Sequence, residues 1–165
     1  MATLKQLAEA AHARGGGYRP QSIPNEPYPS TVQESLRNNY KFKKGVIAAT
    51  KALKAEKPWR GSIERRFEIY CQWIAAVSAC YDLAIPTVDN FLDSSSSTSG
   101  RSHYIAGPHK IRLVGKPSVI TLFHEMAHAL GRGEQGACRW SLNLFRRVFP
   151  RQFARLNAQG HTLVR

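Results

Sequence analysis

The residues of this chain whose types and spacing could do chemistry lie between positions 124 and 134. His124 and His128 are four residues apart, so on a helix they stand one turn apart on one face, near enough to share a single metal ion. Glu125 falls on the neighbouring flank, where it can hold a metal-bound water without being a ligand. Zinc bound by two imidazoles and a carboxylate keeps its fourth position open and brings the pKa of a bound water to ~7. Glu125 would take the proton of that water and pass it to a leaving amine, which is the hydrolysis of a peptide bond. A third ligand is sought downstream, where Glu134 is the only acidic residue after His128, and Cys138 and His161 are the other candidates. The glycines of Gly131-Arg132-Gly133 let the chain turn sharply and bring the next helix back toward the metal, which favours Glu134. Cys138 follows one turn later on the same face and reads first as a core residue.

These groups need elements to hold them. Val119 to Leu130 is an almost wholly apolar run, expected to be a helix buried on nearly all sides, with Pro117 in its first turn and Gly131 at its end. Two His and a Glu without partners inside such a helix would cost several kcal/mol, and a metal gives all three a purpose. Glu134 to Phe149 is a second amphipathic helix, with Ala137, Ser141, Leu144, Phe145 and Val148 on one face and Pro150 stopping it. Upstream, Ser102 to Ala106 and His109 to Val114 read as strands joined through Gly107-Pro108, and Ile111 and Leu113 alternate with Lys110 and Arg112 as in a half-buried strand. Pro86 to Asp89 suits a short strand, and Asp93 to Gly100, with its Ser run, suits a flexible loop without a nucleophile motif.

Ser62 is placed to cap a long helix whose Ile63, Phe67, Cys71, Ile74, Val77 and Tyr81 recur at three- and four-residue steps. Val46 to Lys57 favours helix by propensity and reads as a solvated basic one. Residues 3–13 form a short helix with Leu4, Leu7, Ala8 and Ala11 on one face, ended by Gly15-Gly16-Gly17. Pro20, Pro24, Pro27 and Pro29 then sit too close together for helix or central strand. The expectation is an α+β fold: residues 1–30 are a loose helix and Pro/Gly-rich arm, and residues 31–165 one domain. In that domain a short antiparallel or mixed sheet packs on an active-site helix and flanking helices.

Bulk properties set limits on function. No stretch approaches the ~20 apolar residues of a membrane helix, so no membrane partner is expected. Lys5 and Glu9 interrupt anything resembling a secretory signal, which makes a cytoplasmic address the default. Cys71, Cys80 and Cys138 are odd in number and far apart, as suits buried free thiols rather than disulfides or a four-cysteine site. The formal charge is +13, and 22 of the 24 Lys and Arg residues fall in 1–60 and 101–165. Both ends are therefore basic and attract nucleic acid, acidic partners or anionic surfaces without specifying which. The arginines 139, 146, 147, 151 and 155 read as a solvated side of the last helices or as part of such a surface.

With His124-Glu125-x-x-His128, a Gly-containing turn and Glu134-x-x-Ala137 opening an apolar helix, the chain resembles the zincin metallopeptidases. From Pro86 to Phe149 it is similar to the compact glutamate-zincin arrangement of the ImmA/IrrE-type peptidases. The spacing His124-x-x-x-His128-x-x-Gly131-x-x-Glu134 is also that of the metzincins, which place His or Asp last. The same span resembles a three-His metal-dependent RNA-processing family, in which the residue after the first His is not Glu. The zincin resemblance implies a zinc-dependent hydrolase acting on a protein or peptide, with His124, His128 and Glu134 as ligands and Glu125 as catalyst. It also implies that the strand His109 to Val114 is an edge that pairs with extended substrate. A Tyr, His or Arg from outside the motif should stabilise the oxyanion. Tyr104, His103, His109 and Arg132 are candidates, and Tyr104 is the one expected. Two other functions share these residues: a nucleic-acid-binding protein with a structural zincin core, and a zinc-dependent nuclease.

Overall fold

Side-chain caps and apolar stripes fix where the helices start and which faces they bury. In the computed structural model, which describes residues 1–91 and 101–165, Thr3 and Gln6 close a reciprocal capping box at the start of α1 (Leu4–Arg14). Its face of Leu4, Ala8 and Ala11 is buried against α4 (Ile63–Cys80), so this helix is part of the packed core and not a loose extension. The reason is the apolar stripe itself: Ala8 and Ala11 pack on Ala75 and Ala79 of α4, while Leu4 joins the main core with Ile69, Tyr70, Trp73, Ile74 and Val77. Phe67 and Cys71, expected on the core stripe, are half-buried at its margin. Ser62 caps α4 as its position predicts, accepting from the Arg65 amide at 3.1 Å.

Between α1 and α4 lie α2 (Val32–Ser35), capped by Thr31, and α3 (Lys44–Ala55). The solvated reading of this basic stretch is corrected here. Val46, Ala49, Thr50 and Leu53 are buried while Lys44 and Lys51 face out. The Trp73 indole donates to the Thr50 hydroxyl at 3.1 Å, so the one polar side chain on that face has a partner. Trp73 also packs on Phe123, ring centroids 4.8 Å apart, at the centre of the core.

The sheet has three strands: β1 (Thr87–Phe91), β2 (His103–Ile105) and β3 (Lys110–Val114), in the order β1-β3-β2. β3 pairs parallel with β1 and antiparallel with β2. The strand expected to be an edge is therefore the centre, and the short β2 lies beside it with, among the described residues, no partner on its other side. Ile111 and Leu113 are buried as their alternation predicts. His109 belongs to the hairpin turn, at φ +53°, and not to the strand. The Ser run of 94–99 lies outside the described residues.

Ser118 caps α5 (Val119–Ala129), accepting from the Thr121 amide at 3.1 Å. Pro117 stands one residue ahead of this cap, outside the first turn, and its carbonyl accepts from the Tyr70 hydroxyl. At the other end Gly131 takes φ +100°. The Arg132 amide then donates to Ala127 O at 3.1 Å and the Gly131 amide to His128 O at 2.8 Å, the paired bonds of a Schellman turn. The chain reverses through Arg132 and Gly133 into α6 (Glu134–Val148), which lies along α5 and buries the predicted Ala137, Ser141, Leu144, Phe145 and Val148. A short α7 (Pro150–Ala154) and a hairpin of β4 (Asn157–Gln159) and β5 (Thr162–Val164) complete the chain. That hairpin was not anticipated from sequence. Of the three free thiols only Cys138 is fully buried, Cys71 and Cys80 being half-buried. Among the described residues no helix is long and apolar enough to cross a membrane.

The turn at Gly131 makes a direct prediction. An alanine there must hold a backbone conformation that L residues rarely adopt, so Gly131→Ala should destabilise the protein by ~1–3 kcal/mol. Denaturant unfolding of the metal-free protein reads this, and an unchanged midpoint would refute the strained turn.

Candidate metal centre

The Schellman turn does more than end α5. It presents the Arg132 carbonyl to the His128 ring, with Nδ1 2.7 Å from that oxygen. A carbonyl only accepts, so Nδ1 carries the proton and Nε2 is left with its lone pair. That lone pair points at the His124 ring and the Glu134 carboxylate. His128 Nε2 lies 3.1 Å from His124 Nε2 and 3.0 Å from Glu134 Oε1, and His124 Nε2 lies 3.0 Å from Glu134 Oε2. Two imidazole nitrogens and a carboxylate converge here, one turn of α5 supplying the imidazoles and the first turn of α6 the carboxylate. Such a triangle needs a positive charge or a proton inside it.

The spacing suits a metal. Ligand atoms about 2.0–2.2 Å from a tetrahedral zinc stand about 3.4 Å apart, slightly wider than the distances here, and a small outward movement accommodates the ion. His124, Glu125 and His128 also present ligand atoms that all lie within 4.8 Å of one another. Glu134 approaches both Nε2 atoms far more closely than that limit, so the residues best placed to hold an ion are His124, His128 and Glu134. Glu125 then stands beside them. Cys138 Sγ is 3.9 Å from His124 Nδ1, on the side of the ring away from the triangle. Burial, with the Glu134 charge, pushes its thiol up to about 12, as befits a core residue.

Electrostatics sort the two carboxylates. Burial works against ionising Glu134, but the hydrogen bond from His124 and the two imidazoles outweigh it, and its pKa falls below the usual value. Its place at the N-terminus of α6 favours the same ionised form. Glu125 is only 5% exposed, and among the described residues its Oε2 has no hydrogen-bond partner. Burial first, and the nearby Glu134 charge second, raise its pKa to about 8. A buried carboxyl oxygen of this kind beside the converging imidazoles and carboxylate is where a bound water or substrate group would complete the hydrogen bonding. Burial is also the main cause that lowers the His128 pKa, in keeping with a neutral ligand imidazole.

One functional group escaped the sequence reading. The proline-rich arm crosses the α5–α6 turn so closely that a Cβ on Gly133 would lie 2.7 Å from the Pro24 carbonyl and overlap the Glu26 carboxylate. This crossing delivers Tyr28 to the site. Its ring stacks on His161 of the C-terminal hairpin, with centroids 4.2 Å apart, and faces His124 at 6.3 Å. Burial, then the charge of the nearby Glu134 carboxylate, raises the phenol pKa. No periodicity marks Tyr28; the only signal is an aromatic residue between Pro27 and Pro29 in an arm of fixed backbone angles.

Tyr28 and Glu125 both line two neighbouring cavities. One, of about 540 Å³, runs between α5, α6 and the C-terminal hairpin. The other, of about 440 Å³, lies under β2 and includes Tyr104, His103, His128 and Glu134. Tyr104 thus reaches the site region, but its hydroxyl lies 2.7 Å from His109 Nδ1. His109 Nε2 is 2.5 Å from the Ala84 carbonyl and must donate there, so Nδ1 accepts the proton of Tyr104. His109 is buried behind this pair, and the Arg132 side chain is not among the groups lining either cavity.

The ligand geometry predicts a graded response to substitution. His124→Ala and His128→Ala should abolish binding of one zinc per chain, Glu134→Ala should weaken it, and Cys138→Ser should leave it nearly unchanged. Calorimetric zinc titration distinguishes the four, and loss of metal on Cys138→Ser with retention on Glu134→Ala would reverse the ligand assignment.

No family model, curated protein or solved structure matches the chain, so its functional reading rests on its own residues and their geometry.

Proposed function

We propose that this chain is a zinc-dependent metallopeptidase of the zincin kind, hydrolysing peptide bonds in a protein or peptide substrate. The observation that carries the proposal is the convergence of His124, His128 and Glu134 on one point, with the unpartnered Glu125 carboxyl buried beside it. Zinc held there would supply Lewis acidity and lower the pKa of water. Glu125 takes the proton from the attacking water and returns it to the amine that leaves. A carboxyl whose pKa burial raises is suited to both halves of that transfer. Glu134, held ionised within 3.0 Å of both imidazole Nε2 atoms, would contribute negative charge to such a cation.

The strand beside the site supports a place for the substrate. Among the described residues β2 is hydrogen-bonded to β3 on one side only, and it borders the cavity that contains Glu125 and His128. An extended peptide along its open side would continue the sheet and pass its backbone across the metal centre. This transfers to β2 the substrate-pairing role expected of the following strand.

Two phenols are candidates to stabilise charge on the carbonyl oxygen. Tyr104 spends its proton on His109, whereas the Tyr28 hydroxyl stands against a metal-ligand carboxylate. We assign the role to Tyr28, leaving Tyr104 to brace β2 against the hairpin turn. Tyr28→Phe should then lower kcat ~10–100-fold with little change in zinc affinity, and Tyr104→Phe much less. Kinetics with a fluorogenic peptide compare the two, and the opposite order would return the role to Tyr104.

The reaction itself is tested by Glu125→Gln. Gln keeps the size and can still hydrogen-bond water, but it cannot accept a proton. Zinc content and fold should persist while cleavage falls ~10²–10⁴-fold. Equal proteolysis by the wild type and this variant would sink the peptidase reading. Cutting of nucleic acid by the wild type alone would replace it with the nuclease.

A further inference from the structure

The walls of the metal cleft differ in chemistry from its floor. The larger cavity has an apolar side of Val114, Ile120, Leu142 and Leu163 facing the hydroxyls of Ser118, Thr121 and Thr162, and Arg101 and Lys116, both exposed, also line it. Arg101 also borders the cavity under β2 and so stands between the two. Among the described residues neither cation has a carboxylate partner. The nearest acidic group of the sheet, Asp89, is engaged with Lys110 and Arg112. The carboxylates that do line the cleft are Glu134, committed to the imidazoles, and Glu125. Among the described residues the rim therefore presents positive charge without a carboxylate partner around a recess with one apolar side.

We propose that the cleft selects an acidic peptide segment, in which an apolar side chain seats in the recess and flanking Asp or Glu side chains meet Arg101 and Lys116. Charge alone would suit a nucleic acid equally well. The apolar recess and the open strand edge of β2 favour a peptide, because a phosphate backbone has nothing to place against Val114, Ile120, Leu142 and Leu163. The proposal rests on the metallopeptidase reading for cleavage, but not for binding. Surface ion pairs of this kind are individually weak, so two together should give about tenfold discrimination, declining as salt rises.

The test uses zinc-loaded full-length Glu125→Gln and short fluorescein-labelled peptides with a central Leu flanked by Glu, Gln or Lys. Anisotropy should rank the Glu peptide about tenfold tighter than the Gln peptide at low salt, with the Lys peptide weakest. Adding Arg101→Glu and Lys116→Glu should reverse the order without changing the unfolding temperature, since both side chains are exposed. Equal binding of the three peptides, or a ranking that survives the charge reversal, would overturn the proposal. So would displacement of the Glu peptide by a single-stranded oligonucleotide at lower concentration than by unlabelled Glu peptide. The two readings fail separately. Glu125-dependent cleavage that favours Gln or Lys peptides sinks the acidic selection and keeps the peptidase. Acidic selection in binding with no peptide cleaved by the wild type does the reverse.

Discussion

The reversal of the chain at Gly131 is the constraint on which the site depends. A residue at φ +100° lets the amides of Gly131 and Arg132 satisfy the last carbonyls of α5, which ends that helix at Ala129 and starts α6 close to it. The same reversal aims the Arg132 carbonyl at His128 and brings Glu134 within 3.0 Å of two imidazoles. A backbone group thus decides the tautomer of a side chain, and a turn decides the distance between a carboxylate and its partners. Any other exit from α5 would leave the His pair without its third group.

The surrounding core explains why the arrangement is tolerated. Leu122, Phe123, Met126, Ala127 and Ala129 of α5 are buried against a floor that includes Trp73 and Trp140. Burying Glu125 and His128 in such a helix costs several kcal/mol unless they find partners. His128 has a carbonyl and Glu134; Glu125 has an oxygen with none. The packed helix holds these groups together in an arrangement that could hold a metal ion.

The two ends of the chain build the upper wall. The arm is tied down by the bridge of Tyr18 with Leu83 and by its close passage over Gly133, and it carries Tyr28 to His124. From the other end the C-terminal hairpin brings His161 onto Tyr28 and Leu163 into the recess. Part of the basic surplus is structural as well. Arg146 donates to the Arg37 carbonyl and covers Phe153, and so fastens the segment after α2 to α6.

What the sequence determined by itself is what local periodicity and local chemistry encode. His124 and His128 at a four-residue step, the Ser62 cap, the alternation of Ile111 and Leu113 and the buried face of α6 are all short-range patterns, and each is present in the fold. So is the turn that returns Glu134 to the pair, because only glycines permit it. Tertiary structure decided the rest, through contacts between distant residues. β3 is central because β1, more than twenty residues away along the chain, pairs with its far side; nothing within His109 to Val114 states how many neighbours it has. Val46 and Leu53 turn inward because α4 offers Trp73 to pack against, which propensity alone does not register. Tyr28 and His161 meet across 133 positions of sequence, and the Arg132 carbonyl acts as a backbone atom that every residue type possesses. Groups of these two kinds carry no pattern along the chain, so their roles exist only once the fold has brought them together.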